Sequence, residues 1–433
     1  MINGKEAPLL NVIISHLSDR TKKKLYDQGI NLFTNSCKRP LFNYISFCRY
    51  LCLNGLSQII YTSNITELSK RLIVREELLK LFINNNTKLT SLSMTEQSED
   101  PIHLILGAEQ CFSELEYLCC SSTSANQYIL EGLSKISKSI KKLEFRVSQP
   151  HYNYGIVKLI ESQKNLNDVV GYSSTRDELV CKTLEESLIK HADTIQYLKM
   201  GWEPVTKILS HFVNLLSLEI ISYYNTNWSR LETVSIPVLK MLKTQNIPSY
   251  ILASLIKNTK SQLSEISVQY SIFDREDKYY KEDNNALIRS IYENCLNLKY
   301  LKLSIKNDDV LEFGKLLFKC QHLDGLIINS AYREDLDWMK IFNKLTELSP
   351  ASLYKFKFIF NGDIELTTFK SFFDNWKDKS RKPILLKIFY RMTFTQNHIN
   401  LFNRYMSDGI IKMFSYDPAE FFYDEFEWTF ISS

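Results

Sequence analysis

The sequence predicts an α/β solenoid built from repeated strand–helix units, and three observations favour this class. A short pattern, apolar-x-x-apolar-x-apolar, recurs along most of the 433 residues. An amphipathic helical stretch and a polar turn precede most copies of it. Gly (12) and Pro (10) are scarce, which disfavours the phosphate-binding loops and multi-turn β-sandwiches that need Gly for positive φ and close backbone approach.

The repeated pattern is clearest in "CLNLKYLKLSI", whose anchors are Leu298, Leu301 and Leu303, and in "CQHLDGLIINS". Copies begin about 27 residues apart on average, within the range of leucine-rich repeats. Their first anchors are Leu89, Leu115, Ile140, Leu166, Ile195, Leu215, Leu239, Leu263, Leu298, Leu323, Leu353, Pro383 and Ile411. Each copy is predicted to be one strand, because residues two apart share a face of a strand.

The stretch before each strand is predicted to be a helix, as in "LIRSIYENCLNLKYLKLSI", where Leu287, Ile288 and Ile291 have helical spacing. Helical crossovers make successive strands parallel, and stacked units share a core that one unit cannot form alone. The prediction is a leucine-rich-repeat-type horseshoe with a parallel β-sheet on the concave face, helices outside and a helical N-terminal cap. The competing interpretation is an irregular α-helical fold with triplets that arise by chance.

Three regions follow from this pattern. Residues 1–70 are predicted to be a helical N-terminal cap, in which "LFNYISFCRYLCLNGLSQII" is one very apolar helix. Residues 71–416 form an irregular solenoid of about 13 units, with an inserted loop across "VQYSIFDREDKYYKEDNNALIRS". Residues 417–433 are acidic and aromatic, and they either cap the last repeat or act as a docking peptide.

Composition argues against several classes of protein. The 53 Lys and Arg against 49 Asp and Glu give a net charge of only +4, and short scattered basic clusters do not predict a nucleic-acid binder. Nine cysteines, most of them in apolar runs and without a regular framework, favour a reducing compartment. The start lacks the pattern of a signal peptide, and no long uncharged apolar run occurs. We expect a cytoplasmic or nuclear protein without nucleic-acid or membrane partners.

No catalytic pattern is found. Nucleophile-elbow and phosphate-loop motifs are absent from the sequence. Cys48 and Cys52 could share a helix face, but a metal site needs further ligands at matched spacing. The carboxylate pairs at 185–186 and 308–309 are predicted to be solvated. We expect a non-enzyme with no catalytic residue, no metal and no cofactor.

Residues between the anchors are predicted to face the concave surface, where Tyr, Trp and Arg could form binding hot spots. They are Tyr117, Lys142, Glu144, Arg146, Tyr172, Tyr197, Lys199, Glu219, Tyr300, Lys302, Lys355, Lys357 and Lys387. The best candidate contact patch is Tyr172, Tyr197 and Lys199 together with Trp202, which follows a strand end. Tyr300 and Lys302 are candidates on a later strand. The alternative interpretation is that all these side chains are simply solvated.

The run from "LLNVIISHLSDRTKKKLYDQGINL" through "KRPLFNYISFCRYL", followed by irregular repeats, resembles the fungal F-box/leucine-rich-repeat-like proteins; "PLFNYISFCRYL" (40–51) is its most specific piece. The resemblance implies a substrate-recognition subunit of a Skp–cullin–F-box ubiquitin ligase, in which the F-box binds the Skp adaptor and the repeats hold the target. We find no Leu-Pro opening of an F-box, so a truncated protein or a relative without the F-box is expected. The alternative is a leucine-rich-repeat scaffold or sensor with no ubiquitin link.

Overall fold

The computed structural model describes most of the chain and divides it into two compact units, Met1–Ile208 and Leu209–Ser433. The described residues are 6–31, 40–63, 65–94, 100–123, 126–148, 153–174, 177–222, 228–259, 262–270, 284–330, 336–360, 362–379, 381–390, 395–417 and 426.

The first unit is a parallel sheet with helical crossovers. Its elements are α1 (Glu6–Ser15), α2 (Asp19–Asp27), β1 (Tyr50–Cys52), α3 (Leu53–Tyr61), α4 (Leu68–Phe82), β2 (Ser91–Ser93), α5 (Ala108–Phe112), β3 (Tyr117–Ser122), α6 (Gln127–Ile136), β4 (Lys142–Val147), α7 (Tyr154–Glu161), β5 (Asp168–Ser173), α8 (Glu178–Ile189) and β6 (Tyr197–Gly201). Short 3₁₀ turns occupy Tyr44–Phe47 and Ile102–Leu104. Strands β1 to β6 pair in chain order, and every pair is parallel.

The second unit repeats this arrangement with longer strands. Its elements are β7 (Ser217–Ile221), β8 (Met241–Gln245), α9 (Ser249–Lys257), β9 (Glu265–Gln269), α10 (Asn285–Asn294), β10 (Tyr300–Ile305), α11 (Val310–Lys319), β11 (Gly325–Ser330), α12 (Trp338–Leu348), β12 (Lys355–Phe360), α13 (Leu366–Asp378), β13 (Ile384–Tyr390), α14 (Gln396–Ser407) and β14 (Ile411–Asp417). Further 3₁₀ turns occupy Ile208–His211, Trp228–Leu231 and Asn307–Asp309. Strands β7 to β14 are also parallel and in chain order. The predicted inserted loop falls largely in 271–283, outside the described residues.

The apolar triplets explain this sheet. Leu301 pairs with Leu326, which pairs with Phe356, and all three side chains are fully buried. Because the anchors of adjacent strands are in register, they stack into one apolar layer beneath the helices. The thirteen predicted copies correspond to β2 through β14. The predicted α/β leucine-rich-repeat-type fold is therefore confirmed.

Capping residues begin several of the crossover helices. The Asp177 carboxylate accepts hydrogen bonds from the backbone N–H groups of Leu179 and Val180 at the start of α8. The Asp337 carboxylate accepts one from the N–H of Lys340 at the start of α12, 3.1 Å away. These bonds satisfy N–H groups that have no partner within the helix.

The observed strands differ from the predicted strands at two places. The segment predicted as one apolar helix contains β1, which pairs with β2, so the sheet begins before residue 71. In the penultimate strand the first anchor is Ile384, which is buried, rather than the exposed Pro383. A local run of apolar residues does not distinguish a strand from a helix, which is why β1 was missed. No helix among the described residues is long and apolar enough to cross a membrane.

Candidate protein-binding faces

The residues between the anchors form what we call the inner face of each sheet, opposite the helices. In the first unit, Tyr117, Lys142, Asp168 and Tyr197 are aligned across neighbouring strands. Lys142 and Tyr197 are exposed, and the other two are half-buried. This face is therefore open to a partner.

Tyr172 lies on this face between two cations. The Arg146 guanidinium carbon is 5.6 Å from the centre of its ring, and the Lys199 ammonium is 5.7 Å from it. Tyr197, 45% exposed, lies one strand away from Tyr172 on the same side of the sheet. The structure thus places three members of the predicted contact patch on one face, with Tyr172 and Lys199 in contact.

Trp202 is not part of that surface, and the prediction that placed it there is wrong. Its side chain is only 6% exposed and its ring centre is 6.3 Å from that of Phe145. The position of the third anchor in β5 is Gly171, and a Cβ there would lie 2.7 Å from an atom of the Trp202 ring. The indole therefore fills the core space that an apolar anchor occupies in other units.

The Glu185 carboxylate contacts the indole N–H of Trp202. Glu185 is fully buried, and its carboxylate accepts hydrogen bonds from the Trp202 indole N–H (3.1 Å) and from the backbone N–H groups of Val205 (2.9 Å) and Thr206 (2.7 Å). Burial raises the pKa of Glu185, although these bonds oppose the shift. The prediction that it is solvated is wrong.

Asp309 is a second buried carboxylate that was predicted to be solvated. It is 2% exposed and accepts hydrogen bonds from the backbone N–H of Lys306 (2.9 Å) and the Asn284 amide (3.3 Å). Both Asp309 and Glu185 hold turns beside the sheet, so their role is structural.

The inner face of the second unit is more basic. One cross-strand row, which we call the lysine row, contains Glu219, Lys243, Ser267, Lys302, Ile327, Lys357, Lys387 and Ser415. The predicted contact residue Lys302 lies here but is only 5% exposed, and its ammonium donates to the Gln269 side chain at 2.9 Å. It is not available to a partner in this conformation.

Tyr300, the other candidate on β10, is half-buried in a small polar network. Its hydroxyl donates to Asp324 at 3.1 Å, and the Lys355 ammonium lies 3.2 Å from that hydroxyl and 2.5 Å from the Asp324 carboxylate. Burial lowers the pKa of Lys355, but its bonds to Asp324 and Tyr300 outweigh burial and raise it. The network fixes the Tyr300 ring on the inner face.

An exposed apolar segment lies just before β1 and includes its first residue. Leu41 is 94% exposed, Phe42 64%, Tyr44 55%, Phe47 71% and Tyr50 55%. These five side chains, which we call the apolar segment, belong to the run that carries the family resemblance. Exposed apolar residues at this density are typical of an interaction surface.

Metal and thiol chemistry find little support in the described part of the chain. No three His, Cys, Asp or Glu residues there could jointly hold a metal ion. Cys48 follows a 3₁₀ turn and Cys52 ends β1, so the two do not share a helix face as predicted. Burial raises the pKa of Cys48 and Cys119, which lowers their thiolate content.

Comparison with known proteins finds similar architectures only. No protein-family model and no curated protein matches the chain. Among solved structures it is similar to the leucine-rich repeat-containing protein LegL7 from Legionella pneumophila, with 11% identity, a TM-score of 0.41 and coverage of 68% of this chain and 89% of that one. It is also similar to the yeast Rad7–Elc1 complex, with 13% identity, a TM-score of 0.44 and coverage of 81% and 83%. Similarities this weak say nothing about what the chain binds.

Proposed function

We propose that the chain is a protein-binding solenoid that holds a target on the inner face of its first unit. We further propose that it serves as the substrate-recognition component, or a truncated relative of one, in a Skp–cullin–F-box ubiquitin ligase. The observation that carries target binding is the open inner face, where Tyr172 lies between Arg146 and Lys199 and where Tyr197 is exposed on the neighbouring strand.

The chemistry of that face suits a protein partner. Tyrosine rings bury a large area with little loss of conformational freedom, and Arg adds charge with a planar shape, which is why both are enriched at hot spots. Strands fix these side chains at spacings of about 4.8 Å, so they are pre-positioned for a partner. Partly ordered side chains lose less entropy on binding than mobile ones.

A photo-crosslinker placed at position 197 tests target binding. We expect target proteins crosslinked at 197 that are absent when the same crosslinker replaces Tyr154, which is 46% exposed at the start of α7. Tyr172→Ala in the 197 crosslinker background should reduce the yield of those adducts. Identical adducts at both positions would contradict target binding by the inner face.

The apolar segment supports the second half of the proposal. A Skp adaptor needs an apolar docking surface separate from the target site, and Leu41, Phe42 and Phe47 are exposed by more than half. A leucine-rich-repeat scaffold or sensor without a ubiquitin link would not require an adaptor. Adaptor binding therefore separates the two alternatives.

Size-exclusion chromatography of the full chain with purified Skp adaptor tests this directly. We expect a complex that is lost in the double variant Leu41→Asp/Phe47→Asp and retained in Leu106→Asp, because Leu106 is 88% exposed elsewhere on the same unit. No complex with the wild-type chain would contradict adaptor binding by the apolar segment and would leave a truncated relative or the scaffold or sensor alternative.

A further inference from the structure

The inner face of the second unit is basic at its centre. Four of the eight positions in the lysine row are lysines, and Lys355 lies in the adjacent row beside Tyr300. The acidic residues of the lysine row and of the row that contains Tyr300 are Glu219 and Glu265, on β7 and β9, and Asp324, just before β11, pairs with Lys355. Strands β10 to β13 therefore present a predominantly positive surface.

The centre of this face is covered, unlike the inner face of the first unit. Lys302 and Lys357 are each 5% exposed, Ile327 2% and Ile359 4%. In the first unit, the inner-face positions of β3 to β6, which alternate with the apolar anchors, are mostly half-buried or exposed. The side chains of neighbouring strands leave such positions open in the first unit, so the four side chains on β10 to β12 are buried more than their strand neighbours account for.

Phe426 is a described residue from the C-terminal region that lies against this face. The centre of its ring is 5.5 Å from that of Tyr300, with 31° between the ring planes, and the Lys243 ammonium is 6.0 Å from the Phe426 ring. Tyr300 and Lys243 are inner-face residues of β10 and β8. The predicted C-terminal cap therefore places this residue on the middle of the face, away from the last repeat; its other residues after 417 lie outside the described part.

The connection between β14 and Phe426 is long enough for Phe426 to reach Tyr300 on β10. Residues 417 and 426 are nine positions apart, which spans at most about 30 Å when extended. Four strand spacings of about 4.8 Å separate β14 from β10, or about 19 Å. A short connection can thus reach Tyr300 without rearranging the sheet.

The charges of residues 417–433 are opposite to those of the lysines on the inner face of the second unit. Residues 417–433 carry five carboxylates and six aromatic rings and no Lys or Arg. Burying ammonium groups is costly unless anions or other acceptors surround them. We propose that the inner face of the second unit is a docking surface for an acidic, aromatic peptide, and that the chain's own C-terminal segment occupies it, held by Phe426.

This arrangement makes the segment an intramolecular competitor. A partner that binds this face must displace the C-terminal segment. A segment tethered by a short connection has an effective concentration of about a millimolar at its binding face. A peptide that binds the vacated face with a Kd of about 10 µM would bind the intact chain about 100-fold more weakly. The proposal goes beyond target binding by the first unit and requires no ubiquitin link.

The experiment uses the full chain and Phe426→Ala, with Phe318→Ala as the matched control because Phe318 is 62% exposed on α11. The probe is a fluorophore-labelled synthetic peptide of residues 417–433, followed by anisotropy. A second readout is acetylation of Lys302 and Lys357 by an amine-reactive ester, relative to the exposed Lys319. We expect Phe426→Ala to bind the peptide at least about tenfold more tightly than the wild type and Phe318→Ala.

We also expect Lys302 and Lys357 to be acetylated several-fold faster in Phe426→Ala, and excess unlabelled peptide to restore their protection. Restored protection distinguishes release of the segment from misfolding of the variant, which the peptide would not repair. Unchanged acetylation and unchanged peptide affinity would overturn the proposal. Protection of the wild type that rises with protein concentration would also overturn it, because a second copy would then be the occupant.

Discussion

The packing of Trp202 against Gly171 gives the sharpest test of how a unit with an irregular triplet is stabilised. Trp202→Ala removes a ring that is 6% exposed and leaves a cavity, and such substitutions lower the free energy of unfolding by about 3–5 kcal/mol. Tyr197→Ala, at 45% exposure, is the matched control and should change it by less than about 0.5 kcal/mol.

Gly171→Ala completes a double-mutant cycle. In the wild type the new Cβ would lie 2.7 Å from atoms of both Phe145 and Trp202, and overpacking of this kind costs about 1–3 kcal/mol. In the Trp202→Ala background the Phe145 ring can move into the vacated space, so the same change should be neutral or stabilising. We expect a coupling of about 1–3 kcal/mol between the two sites.

Urea unfolding followed by far-UV circular dichroism measures both effects without relying on tryptophan fluorescence. A loss below about 1 kcal/mol for Trp202→Ala, together with additive effects in the cycle, would contradict the packing of Trp202 against Gly171 and indicate that Trp202 is a surface residue.

Three further substitutions or conditions have expected outcomes. Gly132→Ala in α6 should destabilise the chain in thermal melts although Ala favours helices by about 1 kcal/mol, because its Cβ would overlap the imidazole ring of His103. An increase in Tm would contradict that contact. Glu185→Gln should lower the free energy of unfolding by about 2–4 kcal/mol in urea, because an amide N–H₂ would replace one of the two carboxylate oxygens and face the N–H donor of either Val205 or Thr206. Glu186→Gln, at an exposed position, should have little effect. Burial lowers the pKa of His191, so the folded chain favours the neutral imidazole. The stability that His191 contributes is complete above its unfolded pKa near 6.5. That stability is lost as the pH falls towards the folded pKa. The Tm should therefore be lower at pH 5.5 than at pH 7.5, and His191→Gln should reduce that difference; an unchanged difference would contradict this origin.

Much of the fold follows from the sequence because the anchors are strictly local. Leu301 and Leu326 are buried for the same reason that their spacing predicts strands: alternate residues face one side, and crossover helices cover that side. Strand β1 was missed because "CRYLCL" supports a helix as well as a strand when considered alone.

The candidate site was less predictable because it depends on non-local contacts. Gly171 in an anchor position signals that a distant bulky side chain fills the gap, and Trp202 does so. Burial of Glu185 depends on the turn at 203–206, and burial of Lys302 reflects a covered inner face. None of these contacts is encoded in the period of the triplets.

The fold depends on triplets that form parallel strands aligned side by side, with the residues between the anchors on one face. Spin labels introduced as unnatural amino acids at positions 142 and 197 test this arrangement, because both positions are exposed and are aligned through Asp168 on the strand between them. Two strand spacings place their Cα atoms about 10 Å apart, so we expect strong dipolar broadening of the electron paramagnetic resonance spectrum, and none for labels at 154 and 197. A spectrum without broadening for the 142–197 pair would contradict the parallel arrangement of the strands.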